Sequence, residues 1–382
     1  MTPPIPALGT FDAGRALGIL ASVLREPTAP YFEHRVRATI RRALETVDIP
    51  CRIDAHGNLV AHYRRGKAFP VAFTAHMDHP GFEVLSVSGR TAQARWNGQV
   101  PVFDLKGLKL ALWPSEPGAI RHGTAVVLKG DGRKPAPGNA ELLLKVPEGT
   151  KPGFFGHADL PLFELSEDLI RSKAHDDLAG CGAVVATLDH LARRRLEGDV
   201  LAVFTRAEEV GFKGALGAVK SRLIPRERPV VVLECSKALP GIPQGGGAVV
   251  RVGDKMSVFD ADLASSAFER AKELQAARGT LWQRKLMDGG TCEATAFGLA
   301  GYRAICLALP LGNYHNNGPR GVAVETIHRR DFLGSVELLT AFAAGGLDPL
   351  GARRRLNAWL QGRLTAADER RLKRGRCCAM HS

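Results

Sequence analysis

The chain lacks the features by which secreted and membrane proteins are most easily identified. Its seven cysteines are scattered over 382 residues, an odd number without the paired spacing of a disulfide framework or metal ligands, and this indicates a reducing compartment. No apolar run approaches the ~20 residues that cross a bilayer. Residues 1–24 have no basic region before their apolar positions, and prolines interrupt them, unlike a signal peptide. We therefore expect a cytoplasmic protein with no membrane partner.

Acidic residues are scarce relative to basic ones, with 39 Asp and Glu against 52 Lys and Arg. Nine of the basic residues, against two acids, lie between Arg353 and Arg376, so much of the excess charge belongs to the C-terminal tail, 351–382. This tail lacks the interleaved aromatic residues that stack on bases. We interpret it as a solvated helix or a frayed terminus and expect no nucleic-acid partner, with an RNA-binding or anionic-surface tail as the alternative.

The apolar pattern predicts an α/β fold. Helical periodicity covers residues 10–47, a short buried strand follows at 70–75, and residues 83–160 show short alternating runs rich in Gly and Pro. Beyond residue 176, apolar segments alternate between strand and helix: strands at 200–205, 230–233, 248–252 and 304–309, helices at 178–194, 214–223, 261–277, 292–299 and 324–344. Such alternation is typical of a mixed, largely parallel sheet flanked by helices. The predicted domains are a discontinuous main domain (1–82 and 161–350), an inserted β-rich domain (83–160) and the tail.

Five short segments place His, Asp or Glu at the ends of strand-like runs or at the start of an apolar helix. They are Ala75-His76-Met77-Asp78, His175-Asp176-Asp177, Ala207-Glu208-Glu209-Val210-Gly211, Leu233-Glu234-Cys235 and Asn313-Tyr314-His315-Asn316. Open α/β sheets place their sites at this edge, beyond the carboxyl ends of the strands. We therefore expect these segments to meet in one site.

The residue types in these segments suit a pair of hydrolytic metal ions. Such a pair needs neutral imidazoles, carboxylates of which one can bridge, and a further carboxylate to take a proton from water. The candidate ligands are His76, Asp176, Glu209, Glu234 and His315, which leaves Glu208 as the base. We expect two divalent ions, zinc first, although cobalt and manganese accept the same ligands.

Asp78 has a separate predicted role. It lies two residues beyond His76, on the same side of an extended chain. We predict that its carboxylate accepts the second ring N–H of His76 and so orients the imidazole.

Each segment also has an ordinary structural interpretation. A His-x-Asp after a strand is commonly a polar turn, and Asp176-Asp177 before a helix is a normal N-cap arrangement. The occurrence of all five favours the metal site. We assign no ligand role to His56, His79, His157 or His175, and we place the Cys181 thiol in the core.

In this order the segments resemble those of the glutamyl or tetrahedral aminopeptidases, dinuclear zinc metallopeptidases related to carboxypeptidases and deacylases. The resemblance spans about residues 10–345 and includes the matching stretches Lys173-Ala174-x-Asp176-Asp177, Phe204-Thr205-x-x-Glu208-Glu209-Val210-Gly211 and Gly289-Gly290-Thr291. It implies that His76 and Glu234 bind one zinc, Glu209 and His315 bind the other, Asp176 bridges them and Glu208 is the general base. It also implies a cis Asp176–Asp177 peptide bond, a zinc exopeptidase-like sheet, and a β-barrel-like insertion used in forming a homo-oligomer.

The sequence departs from the family pattern around the substrate. Glu234 replaces the usual Asp, Cys292-Glu293 replaces Asp-Ala, and the tyrosine before His315 is shifted by one position. We predict Glu293 and Tyr314 as substrate-binding residues. The expected reaction is amide hydrolysis of short peptides by an aminopeptidase. Glu234 motivates the alternative of a carboxypeptidase or N-acyl amino acid deacylase, and the altered segments motivate that of an inactive binding or assembly protein.

Overall fold

The chain forms a large α/β region and a closed six-stranded barrel in a computed structural model that describes residues 8–130 and 139–377. Residues 1–7 and 378–382, which belong to the predicted N-terminal segment and tail, lie outside the described part. The strands, in chain order, are β1 (Cys51–Ile53), β2 (Leu59–Arg65), β3 (Pro70–His76), β4 (Gly81–Ser88), β5 (Thr91–Asn97), β6 (Lys109–Trp113), β7 (Gly123–Lys129), β8 (Asn139–Lys145), β9 (Phe155–Ala158), β10 (Glu164–Leu165), β11 (Leu169–Ser172), β12 (Gly198–Thr205), β13 (Val230–Lys237), β14 (Ala248–Gly253), β15 (Trp282–Leu286), β16 (Ala304–Leu311) and β17 (Glu325–His328).

Helices cover the central sheet. They are α1 (Ala13–Leu24), α2 (His34–Glu45), α3 (Leu178–Arg194), α4 (Lys213–Lys220), α5 (Ala261–Arg278), α6 (Glu293–Leu299), α7 (Arg329–Gly345), α8 (Pro349–Gln361) and α9 (Ala366–Cys377). A short 3₁₀-like turn at Tyr314–Asn316 contains His315 with non-helical φ and ψ. Within the described ranges, no helix is long and apolar enough to cross a membrane.

The central sheet has eight strands in the order β1-β2-β12-β3-β13-β16-β14-β15. Strands β12, β3, β13 and β16 are parallel neighbours, and antiparallel pairs flank them on both sides. The parallel strands are buried almost throughout, which is why they appear in the sequence as short continuous apolar runs. The predicted mixed, largely parallel sheet is confirmed.

Helix α3 directly follows the loop that contains Asp176, and the helix is buried over most of its length. Small residues make this possible: a Cβ on Gly182 would lie 2.9 Å from the Leu20 side chain of α1. Asp177 caps the helix by accepting the N–H of Gly180 at 3.1 Å. The close packing of α1 and α3 therefore fixes the position from which Asp176 projects.

The barrel strands pair in the order β4-β5-β8-β7-β6-β9 and enclose their own apolar core, which includes Phe82, Trp96 and Leu144. Side chains of β5 alternate between exposed and buried, as the sequence pattern of the insertion indicated. The barrel begins at Gly81, five positions after His76. One of its loops is therefore held close to the edge of the sheet where the candidate residues lie.

Two features of the main region differ from the sequence prediction. The helix expected over residues 324–344 is wrong at its start, because Glu325–His328 is a strand that pairs with Leu169–Ser172 and only then does α7 begin. The strand β15, paired with β14 at the sheet edge, was not predicted. It consists largely of polar and half-exposed residues and so lacks the apolar run that marks the central strands.

The basic tail forms two helices, in agreement with the solvated-helix interpretation. Helix α8 is attached to α5 through Arg355, whose Nη2 lies 2.5 Å from the Glu269 carboxylate. Its residues Leu356, Trp359 and Leu360 are exposed, whereas Gly351 and Ala352 are buried.

Candidate metal centre

The five segments meet at the carboxyl edge of the parallel strands. His76 ends β3, Glu208 and Glu209 follow β12, and Glu234 lies within β13, three residues before its end. Asp176 stands in the connection before α3, and His315 in the 3₁₀ turn after β16. Their side chains are buried. Nitrogen and oxygen ligands from separate parts of the chain thus share one enclosed volume.

Asp176 lies between the two histidines. Its Oδ1 is 3.3 Å from Nε2 of His76, and its Oδ2 is 3.2 Å from Nε2 of His315. Glu234 lies 3.7 Å from the His76 nitrogen, and Glu209 lies 3.2 Å from the His315 nitrogen. The residues form two half-sites that share Asp176: a His76 half-site with Glu234 and a His315 half-site with Glu209.

The donor set fits divalent cations. In each half-site one ligand atom from every residue lies within 4.8 Å of the others. Asp176 Oδ1 and Glu209 Oε1 are buried and accept no hydrogen bond within the described part of the chain. Buried carboxylates need a compensating charge, and mixed imidazole and carboxylate ligands suit zinc, cobalt or manganese. His76, Asp176 and Glu234 would hold one ion, and Asp176, Glu209 and His315 the other.

Proton affinities reflect this crowding of charge. Burial, together with the neighbouring acids, raises the pKa of Glu208 and of Glu234 well above the ordinary carboxyl value. Burial also opposes ionisation of Asp176, but the neighbouring His315 and His76 imidazoles outweigh it and lower the pKa of that carboxyl. Glu208 therefore combines high proton affinity with a position beside the site, 3.9 Å from Nε2 of His76.

The Asp78 carboxylate lies near the His76 ring, but its shortest contacts are with other groups. Its carboxylate is 3.6 Å from Nδ1 of His76, whereas its own peptide carbonyl is nearer, at 3.2 Å. The carboxylate instead accepts the N–H groups of Glu208 at 3.0 Å and Glu209 at 3.1 Å. The prediction assumed an extended chain, but β3 ends at His76 and the chain turns there. Asp78 therefore positions the two glutamates, while its carbonyl faces the imidazole.

Glu293, predicted to bind substrate, is buried at the first turn of α6, and burial raises its pKa to about 7 beside Thr205 and Thr74. The cleft is lined by the preceding Gly289-Gly290-Thr291. The substrate-binding role of Glu293 stays a prediction. Tyr314 does line the cleft and stacks on His315, with ring centroids 3.7 Å apart.

Glu325 is a site residue that sequence reasoning missed. Its carboxylate accepts the N–H groups of His175 at 2.6 Å, Asp176 at 3.1 Å and His315 at 2.8 Å. It thereby holds the backbones of the bridging carboxylate and of one histidine. A lone acidic residue in an apolar run is a usable signal, but the run was assigned to a helix.

Two other contributors were also missed. Glu33 accepts the N–H of Ala207 at 3.0 Å and pairs with Arg206 at 2.6 Å, which fixes the chain just before Glu208. From the barrel, Gln99 Oε1 lies 3.0 Å from Nδ1 of His315. Neither residue belongs to a motif, so only the fold reveals them.

Arg251 lines the cleft and is buried. Its Nη1 donates to Ser236 Oγ at 2.9 Å and its Nη2 to the Met287 carbonyl at 3.1 Å. Among the described residues, none forms an ion pair with it. A buried guanidinium without a carboxylate partner marks this wall of the cleft as suited to an anionic group.

The Asp176–Asp177 peptide bond is cis, as the resemblance implies. His79, which was given no ligand role, donates from Nδ1 to the Asp176 carbonyl at 2.7 Å. His175 is likewise engaged with a backbone carbonyl, that of Ile170, at 3.0 Å. Neither ring belongs to the two half-sites.

Solved structures with the same fold include proteins named as peptidases. The Pyrococcus horikoshii TET1 peptidase, described as assembling into a tetrahedron or a large octahedral shell, superimposes with a TM-score of 0.70 at 22% identity, covering 87% of this chain and 99% of its own. The aminopeptidase APDkam598 from Desulfurococcus kamchatkensis superimposes with a TM-score of 0.72 at 20% identity, covering 90% of this chain and 98% of its own. These similarities establish the fold.

Sequence comparisons lead to the same group. The chain is 25% identical over 328 residues to the "Putative aminopeptidase" of Acetivibrio thermocellus, which covers 80% of this chain and 92% of that protein. The family model described as M42 glutamyl aminopeptidase matches residues 145–338. Because that match covers just over half of the chain, the protein belongs to the M42 glutamyl aminopeptidase family of metallo-aminopeptidases.

Proposed function

We propose that the protein is a di-metal exopeptidase, most simply an aminopeptidase, that releases residues from short peptides. The observation that carries the proposal is the position of Asp176, whose two oxygens each face a different histidine, at 3.3 Å and 3.2 Å. Each histidine is accompanied by a further carboxylate, Glu234 or Glu209. A carboxylate shared in this way is what two adjacent divalent ions require.

The chain's own residues would divide the chemistry as follows. Divalent ions, when bound, supply Lewis-acid activation of water and of a peptide carbonyl. Glu208 accepts the proton of the attacking water and returns it to the leaving amine as the C–N bond breaks. Asp78 holds Glu208 by its backbone N–H, at 3.0 Å, so that the carboxyl stays beside His76. Tyr314 and the Gly289–Thr291 segment form walls of the cleft.

The experiment that tests this role for Glu208 compares Glu208→Gln with Glu209→Gln. We expect Glu208→Gln to retain two ions per chain and to lose about 10²–10⁴-fold in kcat, the usual contribution of a general base. Glu209→Gln should lower metal content as well, because it removes a ligand. Metal analysis and peptide kinetics on the same samples separate the two effects. Unchanged amide hydrolysis in Glu208→Gln would disprove the assignment.

A carboxypeptidase or N-acyl amino acid deacylase is the second candidate, and Arg251 favours it. Its buried guanidinium lines the same cleft as Glu234 and would pair with the terminal carboxylate of such a substrate. The same cation would also suit an acidic side chain in an aminopeptidase substrate. Peptides blocked at one end or the other, tested beside N-acyl amino acids, distinguish these possibilities: cleavage that requires a free amine and tolerates a blocked carboxylate excludes the second candidate.

Self-association through the inserted domain is a further part of the proposal. We take residues 83–160 as that domain and 1–82 with 161–350 as the catalytic domain. The barrel exposes Leu85, Leu128 and Leu143 on its surface, and relatives of the same fold form dodecamers and larger shells. Light scattering on wild-type protein and on a variant with these three leucines changed to Ser would test it. An unchanged molar mass would show that this face of the barrel is not the interface.

A further inference from the structure

We propose that the inserted barrel completes the metal centre, and that Gln99 is a positioning residue that holds His315 in the orientation and tautomer needed to bind an ion. The inference rests on the proposed two-metal function, and it states that metal binding depends on the inserted barrel. It follows from the contacts that one barrel loop, residues 98–102, makes with His315 and with Glu209.

The two ring nitrogens of His315 face different groups. Nε2 faces the ligand carboxylates, 3.2 Å from Asp176 and 3.2 Å from Glu209. A neutral imidazole offers a lone pair on one nitrogen only if the proton is on the other. Nδ1 must therefore carry the proton and needs an acceptor. Gln99 Oε1, 3.0 Å from Nδ1, is that acceptor.

The loop that carries Gln99 contacts both the barrel core and the chain beyond His315. The backbone carbonyl of Gln99 accepts the indole N–H of Trp96 at 3.3 Å, and Trp96 is buried in the barrel core. The N–H of Val102 donates to Asn317 Oδ1 at 2.8 Å, so the loop also grips the chain just beyond His315. Gln99 is thus tied to the barrel on one side and to the histidine turn on the other.

The same loop also contacts Glu209. Gly98 has φ +85°, and a Cβ at this position would lie 3.2 Å from Cβ of Glu209. The loop therefore passes directly against the second ligand of the same half-site. It does so in a left-handed conformation that favours glycine over any other residue.

The backbone of the turn that carries His315 is strained and depends on contacts from other elements. His315 and Asn316 have φ values of +52° and +60°, a conformation that costs about 1 kcal/mol or more for residues with a Cβ. Such a backbone persists only where surrounding contacts determine it. Glu325 fixes the His315 N–H, and the barrel loop fixes its ring. The His76 half-site, by contrast, draws its ring contact from Asp78 of the catalytic domain.

The test is a metal titration of the full-length protein, stripped of metal, in four forms. Gln99→Leu removes the acceptor with little change in volume, Gln99→Glu keeps an acceptor oxygen, and Gln93→Leu is a matched control on the exposed face of β5. Calorimetry with Co²⁺ gives both affinities, and the visible absorption of bound Co²⁺ reports on geometry. His315→Ala identifies which affinity belongs to its half-site.

We expect Gln99→Leu to weaken the His315 half-site about 10–100-fold, the usual cost of losing a hydrogen bond behind a ligand. The other half-site should stay within about threefold of wild type. Gln99→Glu should hold the His315 half-site near its wild-type affinity, and Gln93→Leu should change neither. Thermal unfolding of the metal-free proteins checks the fold, and Gln99→Asn, which withdraws the oxygen by one methylene, replaces Gln99→Leu if that variant does not fold.

The failures are distinguishable. Wild-type protein that binds fewer than two ions overturns the two-metal function itself. Two wild-type sites with both affinities unchanged in Gln99→Leu overturn only the role of Gln99. Equal weakening of both half-sites in Gln99→Leu also overturns it, because a positioning residue for His315 should act on that half-site alone.

Discussion

The two half-sites present similar ligands but are built in different ways. His76 is the last residue of a central strand, and Asp78, two positions later, supplies both its backbone contact and the anchor for Glu208. His315 lies in an irregular turn held by Glu325 from a short outer strand and by Gln99 from the inserted barrel. The first half-site is therefore a product of the sheet, whereas the second depends on contacts between distant parts of the chain.

Asp176 belongs to both half-sites, so replacing it should have the largest effect. We expect Asp176→Ala to abolish tight binding of both ions and to reduce kcat/KM by about 10⁴-fold or more, since it removes the shared ligand. His76→Ala and His315→Ala should each retain one tightly bound ion. Metal analysis after gel filtration measures the difference. Equal metal content in all three variants would contradict the division into half-sites.

Replacing Glu325, which holds the turn that carries His315, should lower the stability of the metal-free protein. Glu325→Leu leaves three buried N–H groups without an acceptor, and each costs about 1–3 kcal/mol. We expect a loss of at least about 3 kcal/mol in the free energy of unfolding of the metal-free protein, read from denaturant curves. Glu325→Gln, which keeps one carbonyl oxygen, should recover part of it. If Glu325→Leu is as stable as wild type, the three hydrogen bonds do not hold the turn.

Lys173, buried behind the Asp176 loop, gives a pH-dependent prediction. Burial lowers its pKa to about 7 from an unfolded value of 10.5, and its Nζ has no hydrogen-bond partner among the described residues. Between pH 7 and 10.5 the unfolded chain binds more protons at this group than the folded one, so its contribution to stability rises with pH across that window.

We therefore expect Lys173→Met to stabilise the metal-free protein at pH 7 by about 1–3 kcal/mol. The advantage should shrink as pH rises towards 10.5. Unfolding curves of both proteins over this range test it, and a variant that is less stable than wild type at pH 7 would be inconsistent with an unpaired buried ammonium.

Removing the tail should have the smallest effect on either half-site. The leucines of α8 and α9 and Trp359 are exposed, and none of the candidate ligands belongs to these helices. Deleting residues 352–382 should leave both metal affinities within about threefold of the full-length values, as expected for a solvated extension. Loss of an ion on truncation would show that the tail is coupled to the site.

The His76 half-site was easier to predict from the sequence than the surroundings of His315, because its residues belong to the central parallel strands. The apolar runs of β3, β12 and β13 place His76, Glu208, Glu209 and Glu234 at one sheet edge, because parallel strands end together. The contacts of Asp78 could not be derived, since they depend on where the chain leaves β3. The burial of Glu293 was not predicted, because the direction of a helix's first turn is not visible in the sequence.

The surroundings of His315 were the least predictable. The strand Glu325–His328 directly precedes α7, and four residues are too few to distinguish the end of a strand from the start of a helix. Gln99 is one polar residue in a loop of the insertion, and nothing local marks it. Contacts between domains follow from tertiary packing, which the periodicity of one segment does not encode.

The most direct test of the central claim is an anomalous difference map of zinc-loaded crystals, recorded at the zinc edge. Two peaks are expected on opposite sides of the Asp176 carboxylate, one among His76 and Glu234 and the other among Glu209 and His315. A single peak, or a second ion bound away from Asp176, would contradict it.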